Sequence, residues 1–193
     1  AYAPTLDIGS FPKKYLYHAH AVSGVKSSTA LYISAANWLN PEDLATSQTA
    51  ENPGFELFPD SVKVLAFNPI QPALELPGME ANLDRLTAPG TILFDRLGQE
   101  KLGPIPSLFQ DQGVVSTLMN NRRVAVVGLF SLGSTLFDNG HVVMSDWNFS
   151  KWFGADSLDQ VSVGCLMLEP GADVEQVRSL LEAHLSDDVR VMT

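Results

Sequence analysis

The chain has one cysteine and lacks any long apolar run. Cys165 is alone among the 193 residues, so no internal disulfide can form. Its neighbours in the sequence are apolar, and we expect it to be a small buried side chain. No apolar run approaches the roughly 20 residues that a membrane-spanning helix needs, and no basic-then-apolar signal sequence opens the chain. These absences predict a soluble chain.

Basic residues are also scarce. The 12 Lys and Arg residues stand against 22 Asp and Glu residues, which gives a formal net charge of −10. This charge argues against nucleic acid, because proteins bind a phosphate backbone through basic side chains that displace counterions. It also argues against an anionic bilayer surface, apart from a local basic spot such as Lys13–Lys14. We therefore expect no nucleic-acid partner.

The local motifs of several enzyme classes are missing. The sequence contains no Gly-x-x-x-x-Gly-Lys-Ser/Thr, no Gly-x-Gly-x-x-Gly and no Gly-x-Ser-x-Gly. The closest possible metal-ligand pair is His18 with His20, whose side chains would point about 200° apart on a helix. We expect His141 at a turn and His184 near a helix end to be structural. The sequence therefore predicts a protein that is not an enzyme and that has no catalytic residues, metal or cofactor.

The C-terminal region carries the clearest secondary-structure signals. Val161–Leu168 alternates like a strand, and Asp173 stands at an N-cap position with Gln176 as its capping-box partner. A helix should follow, with an apolar stripe formed by Val174, Val177, Leu181 and Leu185. Val189–Met192 alternates again. This order predicts a strand-helix-strand unit whose two strands are parallel in one sheet.

The N-terminal region repeats this order. Thr5–Ile8 is predicted to be extended, a helix is expected from about Pro12 to Ser23, and Thr29–Ile33 is rich in strand-forming residues. Two such units in one sheet would form a split βαβ layout of ferredoxin type, with both helices on one face. The fold class predicted for the chain is therefore α+β, with the middle as an insertion.

The middle of the chain is predicted to be mostly β. Asn120–Asn121 should form a tight hairpin turn, because Asn tolerates positive φ. Short helices are expected around Met79–Arg85 and Asn148–Phe153, whereas Gln99–Asp111 is rich in turn residues. The predicted strands are Ser61–Phe67, Thr91–Phe94, Val114–Leu118, Arg122–Leu129 and His141–Met144.

Four motifs, taken in order along the chain, carry a resemblance to a known family. The motifs are Lys63–Pro69, Leu93–Arg96, Gly128–Gly133 and Glu169–Val174. With these motifs the sequence resembles the extracytoplasmic domain of DevC-type ABC exporter permeases, which belong to the MacB/FtsX-like permease class. The similarity extends over nearly the whole chain.

The resemblance implies an architecture and a set of partners. It implies a Porter-like subdomain from residues 1–39 and 158–193 and an inserted Sabre-like subdomain from residues 40–157. The domain would be an excised piece of a multi-pass membrane protein, on the periplasmic side of the inner membrane. The permease would form a homodimer and work with a separate ATPase subunit, a membrane fusion (adaptor) protein and, indirectly, a TolC-like outer-membrane channel. The cargo of this tripartite efflux system would be a glycolipid of the heterocyst envelope, although related permeases export drugs or peptides, release lipoproteins or activate cell-wall hydrolases.

The resemblance suggests a docking and motion-transmitting domain, with a docking surface on the insertion. Its position is predicted from loop character alone, in the acidic loop within Asn40–Pro59 and in Leu132–Asn139. The stretch Phe130–Phe137 is either core or an exposed contact patch. An alternative function is an extracytoplasmic lipid receptor with an acyl-chain pocket between the subdomains, and an unrecognised enzyme is a third possibility. The candidate partner-binding residues are Trp38, Glu42, Asp43, Glu51, Phe55, Leu132, Thr135, Phe137 and Asn139.

Overall fold

The computed structural model describes residues 9–44, 60–134, 138–186 and 189–193. The strands are β1 (Phe11–Pro12), β2 (Val25–Leu39), β3 (Asp60–Phe67), β4 (Thr91–Asp95), β5 (Val115–Met119), β6 (Arg122–Phe130), β7 (His141–Ser145), β8 (Gln160–Val161) and β9 (Val163–Leu168). The helices are α1 (Lys14–His20), α2 (Ile105–Gln112), α3 (Asp146–Phe153) and α4 (Val174–His184). Three short 3-10 segments lie at Glu80–Thr87, Glu100–Leu102 and Ala155–Leu158.

Six strands form a closed ring. Their order is β3-β7-β4-β6-β5-β2, and β2 pairs back to β3 to complete a barrel. The β3–β7 and β4–β6 pairs are parallel, and the other four pairs are antiparallel. Closure gives each of these strands a neighbour on both sides, which satisfies backbone groups that an open edge would leave exposed.

The barrel interior is filled by alternate residues of its strands and by α3. The indole of Trp38 packs on Phe94, with ring centroids 5.3 Å apart, and Tyr32 stacks on Phe149 at 5.6 Å. Aliphatic side chains complete this core, among them Val62, Val64, Ile92, Val124, Val126, Val142 and Met144. Along each strand, every second side chain points into this core, as expected for a strand with one buried face.

The two chain ends meet in a flank beside the barrel. Residues 25–31 of β2 pair antiparallel with β9, and helices α1 and α4 pack together with this pair. Their contact is an apolar cluster formed by Ala19, Val22, Val25, Val177 and Leu181. We call β9, α1, α4 and the first half of β2 the flank.

The predicted α+β class with a mostly-β middle is confirmed. The hairpin residues Asn120 and Asn121 have φ of 50° and 59°, and Asp173 caps α4 by accepting the N–H groups of Glu175 and Gln176. These features form as predicted because each depends on residues close together in the chain.

Four local predictions need correction or stay open. Residues 189–193 form no strand; Val189 donates to the carbonyl of Ser186, and Val191 packs on the flank cluster instead. Helix α1 is shorter than predicted. The region 99–111 contains helix α2, because Pro106 lies in its first turn, where a missing N–H is tolerated. The extended segment predicted for residues 5–8 lies outside the described residues.

The predicted division into subdomains stays a prediction. Strand β2 belongs to both predicted parts, because residues 25–31 pair with β9 whereas residues 32–38 pair with β3. The partner of β2 thus changes between Leu31 and Tyr32, inside the segment assigned to the Porter-like part.

Candidate docking surface at the distal end of the barrel

One end of the barrel lies away from the flank, and we call it the distal end. Strands β2, β4 and β6 end there, while β3, β5 and β7 begin there. The described connecting segments at this end are residues 40–44, 96–114, 131–134 and 138–140. Every described residue of the predicted docking surface lies at this end, so strand topology brings together positions that are about a hundred residues apart in sequence.

Asp95, the last residue of β4, organises the distal end. Its carboxylate is completely buried and accepts four hydrogen-bond contacts. Oδ1 accepts the N–H groups of Leu97 and Leu132, each at 3.1 Å, and Oδ2 accepts that of Gly133 at 2.9 Å. The fourth partner is Nδ1 of His141, 3.4 Å from Oδ2. A single side chain therefore holds the turn after β4 to the segment after β6.

These partners lower the pKa of Asp95. Burial alone would raise the pKa of this carboxyl, because it disfavours the charged form. The hydrogen bonds from His141 and from the N–H groups of Leu132, Leu97 and Gly133 outweigh burial, so the pKa lies below its ordinary value. His141, predicted to be structural, is nearly buried in this contact.

Further contacts tie the distal segments to the barrel. Gln99 N–H donates to the carbonyl of Asn139 at 2.7 Å, and the Asn139 amide donates to the carbonyl of Ser61 at 3.0 Å. Two ion pairs flank them: Lys63 with Asp138 at 2.8 Å, and Lys101 with Asp60 at 2.9 Å. Asn139 is thus a half-buried link between segments.

The acidic segment starts next to this network. Residues 41–44 are helical, and Asn40 accepts the N–H of Glu42 at 3.0 Å while its amide donates to the carbonyl of Lys101 at 3.4 Å. Gly103 makes this approach possible, because a Cβ there would lie 2.5 Å from Asn40 Oδ1. Glu42 and Asp43 are exposed at this end.

Two large apolar side chains are exposed beside Asp95. Leu97 is 55% exposed and Leu132 is 44% exposed, whereas Phe130, two residues before Leu132, is buried. The stretch that begins at Phe130 is therefore core at its first residue and surface at Leu132. Leu132 was predicted from the sequence, and Leu97 was not. A possible signal for Leu97 was its position between Asp95 and Gly98, which is typical of a turn.

The structure changes the set of predicted contact residues. Trp38 is 0% exposed, and its indole N–H donates to the carbonyl of Leu102 at 2.9 Å. It is a core residue of the barrel, so it is not available for a partner. Leu132, Glu42, Asp43 and Asn139 lie at the distal end. The remaining candidates, Glu51, Phe55, Thr135 and Phe137, lie outside the described residues.

An apolar groove lies in the flank, away from the docking surface. It has a volume of about 760 Å³, and its walls come from β9, α4 and the C-terminal residues. Leu166, Leu168, Val177, Leu181 and Val191 line it, with Arg178 and Arg190 at its margin. The groove lies within the flank, whereas the predicted acyl-chain pocket lay between two subdomains.

Among the described residues, no group of three or more His, Cys, Asp or Glu side chains could hold a metal ion. No helix in the described ranges is both long enough and apolar enough to span a membrane. Cys165 is half-buried, and burial raises the pKa of its thiol.

The fold is similar to that of a known transporter domain. No family model and no curated protein matches the chain. The extracellular domain of YknZ, a noncanonic ABC-type transporter from Gram-positive bacteria, aligns with a TM-score of 0.51 and 14% identity over 90% of this chain and 83% of that chain. The periplasmic region of MacB from Actinobacillus actinomycetemcomitans aligns with a TM-score of 0.49 and 10% identity, over 92% of this chain and 75% of that chain. The likeness to the YknZ domain shows a shared fold.

Proposed function

We propose that this chain is the periplasmic domain of an ABC exporter permease subunit of the DevC type. The domain would dock a membrane fusion protein at its distal end and transmit ATP-driven motion to that partner. The exporter would be a tripartite system in the inner membrane, with a separate ATPase subunit, a permease homodimer and a TolC-like channel reached through the adaptor. Its cargo would be a glycolipid. The domain itself would carry out no catalytic step.

The observation that carries this proposal is the position of the chain ends relative to the docking surface. The first and last described helices, α1 and α4, pack on one apolar cluster in the flank, and the described candidate residues that are exposed or half-buried lie at the opposite end of a closed barrel. Strand β2 runs continuously through 15 residues from the flank to the distal end. Packed elements move as rigid bodies, so a displacement of the flank would move the distal end with it.

Calorimetric titration of this chain with the membrane fusion protein of the same exporter tests the docking function. Leu132→Asp should weaken binding, because it places a charge in the centre of the contact. Ile70→Asp is the control, since Ile70 is 85% exposed on a loop near α1, away from the distal end. Equal affinities for the two variants, or no binding of the unmodified chain, would contradict the proposal.

The alternative function, an extracytoplasmic lipid receptor, is favoured by one observation, the apolar groove of the flank with Arg178 and Arg190 beside it. Native mass spectrometry of the chain mixed with a single-chain anionic lipid separates the two functions. A retained lipid whose binding is lost in Leu168→Asp would support the receptor. Absence of any lipid adduct or thermal shift would count against it.

A further inference from the structure

The two exposed leucines of the distal end are held together by one buried carboxylate. Because the amide nitrogens of Leu97 and Leu132 each lie 3.1 Å from Asp95 Oδ1, they are at most twice that distance, 6.2 Å, from each other. The two residues are 35 positions apart in sequence and follow different strands. Neither side chain belongs to a core cluster of the barrel. Their shared feature is this carboxylate, and we call them the leucine pair.

We propose that Asp95 is the positioning residue of the docking surface, and that it presents the leucine pair as one preformed apolar contact for a partner segment that carries an apolar side chain next to Lys or Arg. The inference rests on the proposed docking function and names the contact and the partner's chemistry. Asp95 itself touches no partner, because its side chain is buried. It acts through the backbone of the two loops.

The carboxylate is required for this arrangement because three backbone N–H groups converge on it. An ionised carboxylate is an acceptor only, and both its oxygens are used by Leu97, Leu132 and Gly133. An Asn side chain at this position has a single acceptor oxygen, and its NH₂ group would face a donor. The N–H of Gly133 would then lose its acceptor, or those of Leu97 and Leu132 would in the opposite orientation of the amide, and either loss loosens the segment after β6 relative to the turn after β4.

A preformed pair favours binding for an entropic reason. Exposed leucines on loosely held loops lose backbone and side-chain freedom when a partner covers them, and that loss opposes association. Here Gly98 N–H also bonds the Asp95 carbonyl at 3.0 Å, and Arg96 N–H bonds the Phe130 carbonyl at 2.9 Å. The two loops are thus fixed to each other before any partner arrives.

The charges around the leucine pair indicate the partner's chemistry. Glu42, Asp43 and Glu100 are exposed on the neighbouring segments. Lys63 and Lys101 are bonded to Asp138 and Asp60, which leaves Arg96 as the exposed base of the turn itself. The described segments at the distal end therefore expose more carboxylates than bases. A segment with an apolar side chain flanked by basic residues is complementary to this surface.

A double-mutant cycle tests the positioning role. The membrane fusion protein of the exporter is titrated into the unmodified chain, Leu97→Ser, Asp95→Asn and the double variant, with Val114→Ser as control because Val114 is an exposed apolar residue at the same end. Leu97→Ser should weaken binding about tenfold, and Val114→Ser less than about twofold. In the Asp95→Asn background, Leu97→Ser should change affinity less than about twofold, because the pair is already displaced.

A spectroscopic measurement separates positioning from general loss of stability. In methyl NMR spectra of the folded Asp95→Asn chain, the resonances of Leu97 and Leu132 should shift or broaden, while those of core residues such as Val124 stay in place. Affinity of the unmodified chain should also fall as NaCl is raised from about 50 to about 500 mM, because a basic partner is attracted by charge.

The possible results distinguish the inference from the function on which it rests. If the unmodified chain binds no fusion protein, the proposed function fails and the inference fails with it. If it binds but Leu97→Ser behaves like Val114→Ser, or the cycle is additive, docking stands and the positioning role of Asp95 is refuted. If sedimentation equilibrium shows self-association that Leu97→Ser abolishes, the leucine pair is an interface between two copies and the assigned partner is wrong.

Discussion

The packing of the flank gives the sharpest test of the transmission mechanism. Leu181 on α4 is 3% exposed within the cluster of Ala19, Val22, Val25 and Val177. Leu181→Asp removes a buried leucine, worth about 1.5–3 kcal/mol, and places a carboxyl group without partners in the same apolar space. Burying such a group costs several kcal/mol more, whether it stays charged or becomes protonated.

The total loss, at least about 4 kcal/mol, is large against a domain stability of about 5–15 kcal/mol. We therefore expect a melting temperature lower by about 10 °C or more. Because β9 pairs with β2 alone among the described strands and α4 packs on the apolar cluster of the flank, this region should open before the barrel does. Hydrogen exchange should accelerate in α4 and β9 and stay slow in β4 and β6.

The matched control lies on the same helix. Val174 is 46% exposed in the first turn of α4, so Val174→Asp should change stability by less than about 0.5 kcal/mol. Calorimetry and exchange mass spectrometry are run on both variants and on the unmodified chain. Equal melting temperatures for Leu181→Asp and Val174→Asp, with unchanged exchange in β9, would refute the packing of the flank and the mechanism built on it.

Three further predictions concern the distal end. The pKa of Asp95 is lowered in the folded state, so the stability that its carboxylate contributes is present above the unfolded-state pKa and is lost as pH falls through the folded-state pKa. In urea unfolding, the free energy of unfolding should therefore fall between about pH 6 and about pH 3, and it should fall less in Asp95→Asn. The same pH dependence in both chains would contradict this prediction. Trp38→Phe should destabilise by about 1–3 kcal/mol, because it removes a buried hydrogen bond and leaves a small cavity, whereas the exposed Trp147→Phe should change the denaturation midpoint little. Gly133→Ala should lower stability by about 1–2 kcal/mol through backbone strain, since φ is +98° and, among the described residues other than its chain neighbours, no atom lies within 4 Å of the added Cβ. Gly9→Ala is the control, because Gly9 has no such positive φ and the described residues leave its added Cβ equally free; equal thermal shifts would contradict the argument.

Elements that depend on short-range signals could be predicted from the sequence. The alternation of β3 and β6, the Asn120–Asn121 turn and the cap at Asp173 each rest on residues within a few positions of one another, and all three formed. The turn residues of 99–111 did not indicate the eight-residue helix α2, which forms because its Pro106 lies in the first turn, where a proline is tolerated.

The candidate docking surface was only partly predictable. Leu132 was chosen from an apolar stretch between turns, and the structure places it on the surface. Trp38 was chosen because it adjoins an acidic loop, yet strand alternation turns its side chain into the barrel, where it packs on Phe94. Leu97 was not predicted, because what places it beside Leu132 is a hydrogen bond from each residue's N–H to Asp95, and the two residues are 35 positions apart in the sequence.

The sequence by itself determined the α+β class and most of the helices and strands, because hydrophobic period, capping and turn residues act locally. Barrel closure was decided only in the tertiary structure, by the pairing of β2 with β3 across the acidic loop and of β4 with the distant β6 and β7. The role of Asp95 has the same origin. A buried carboxylate must find donors wherever the fold brings them, and those donors come from loops that no sequence pattern connects.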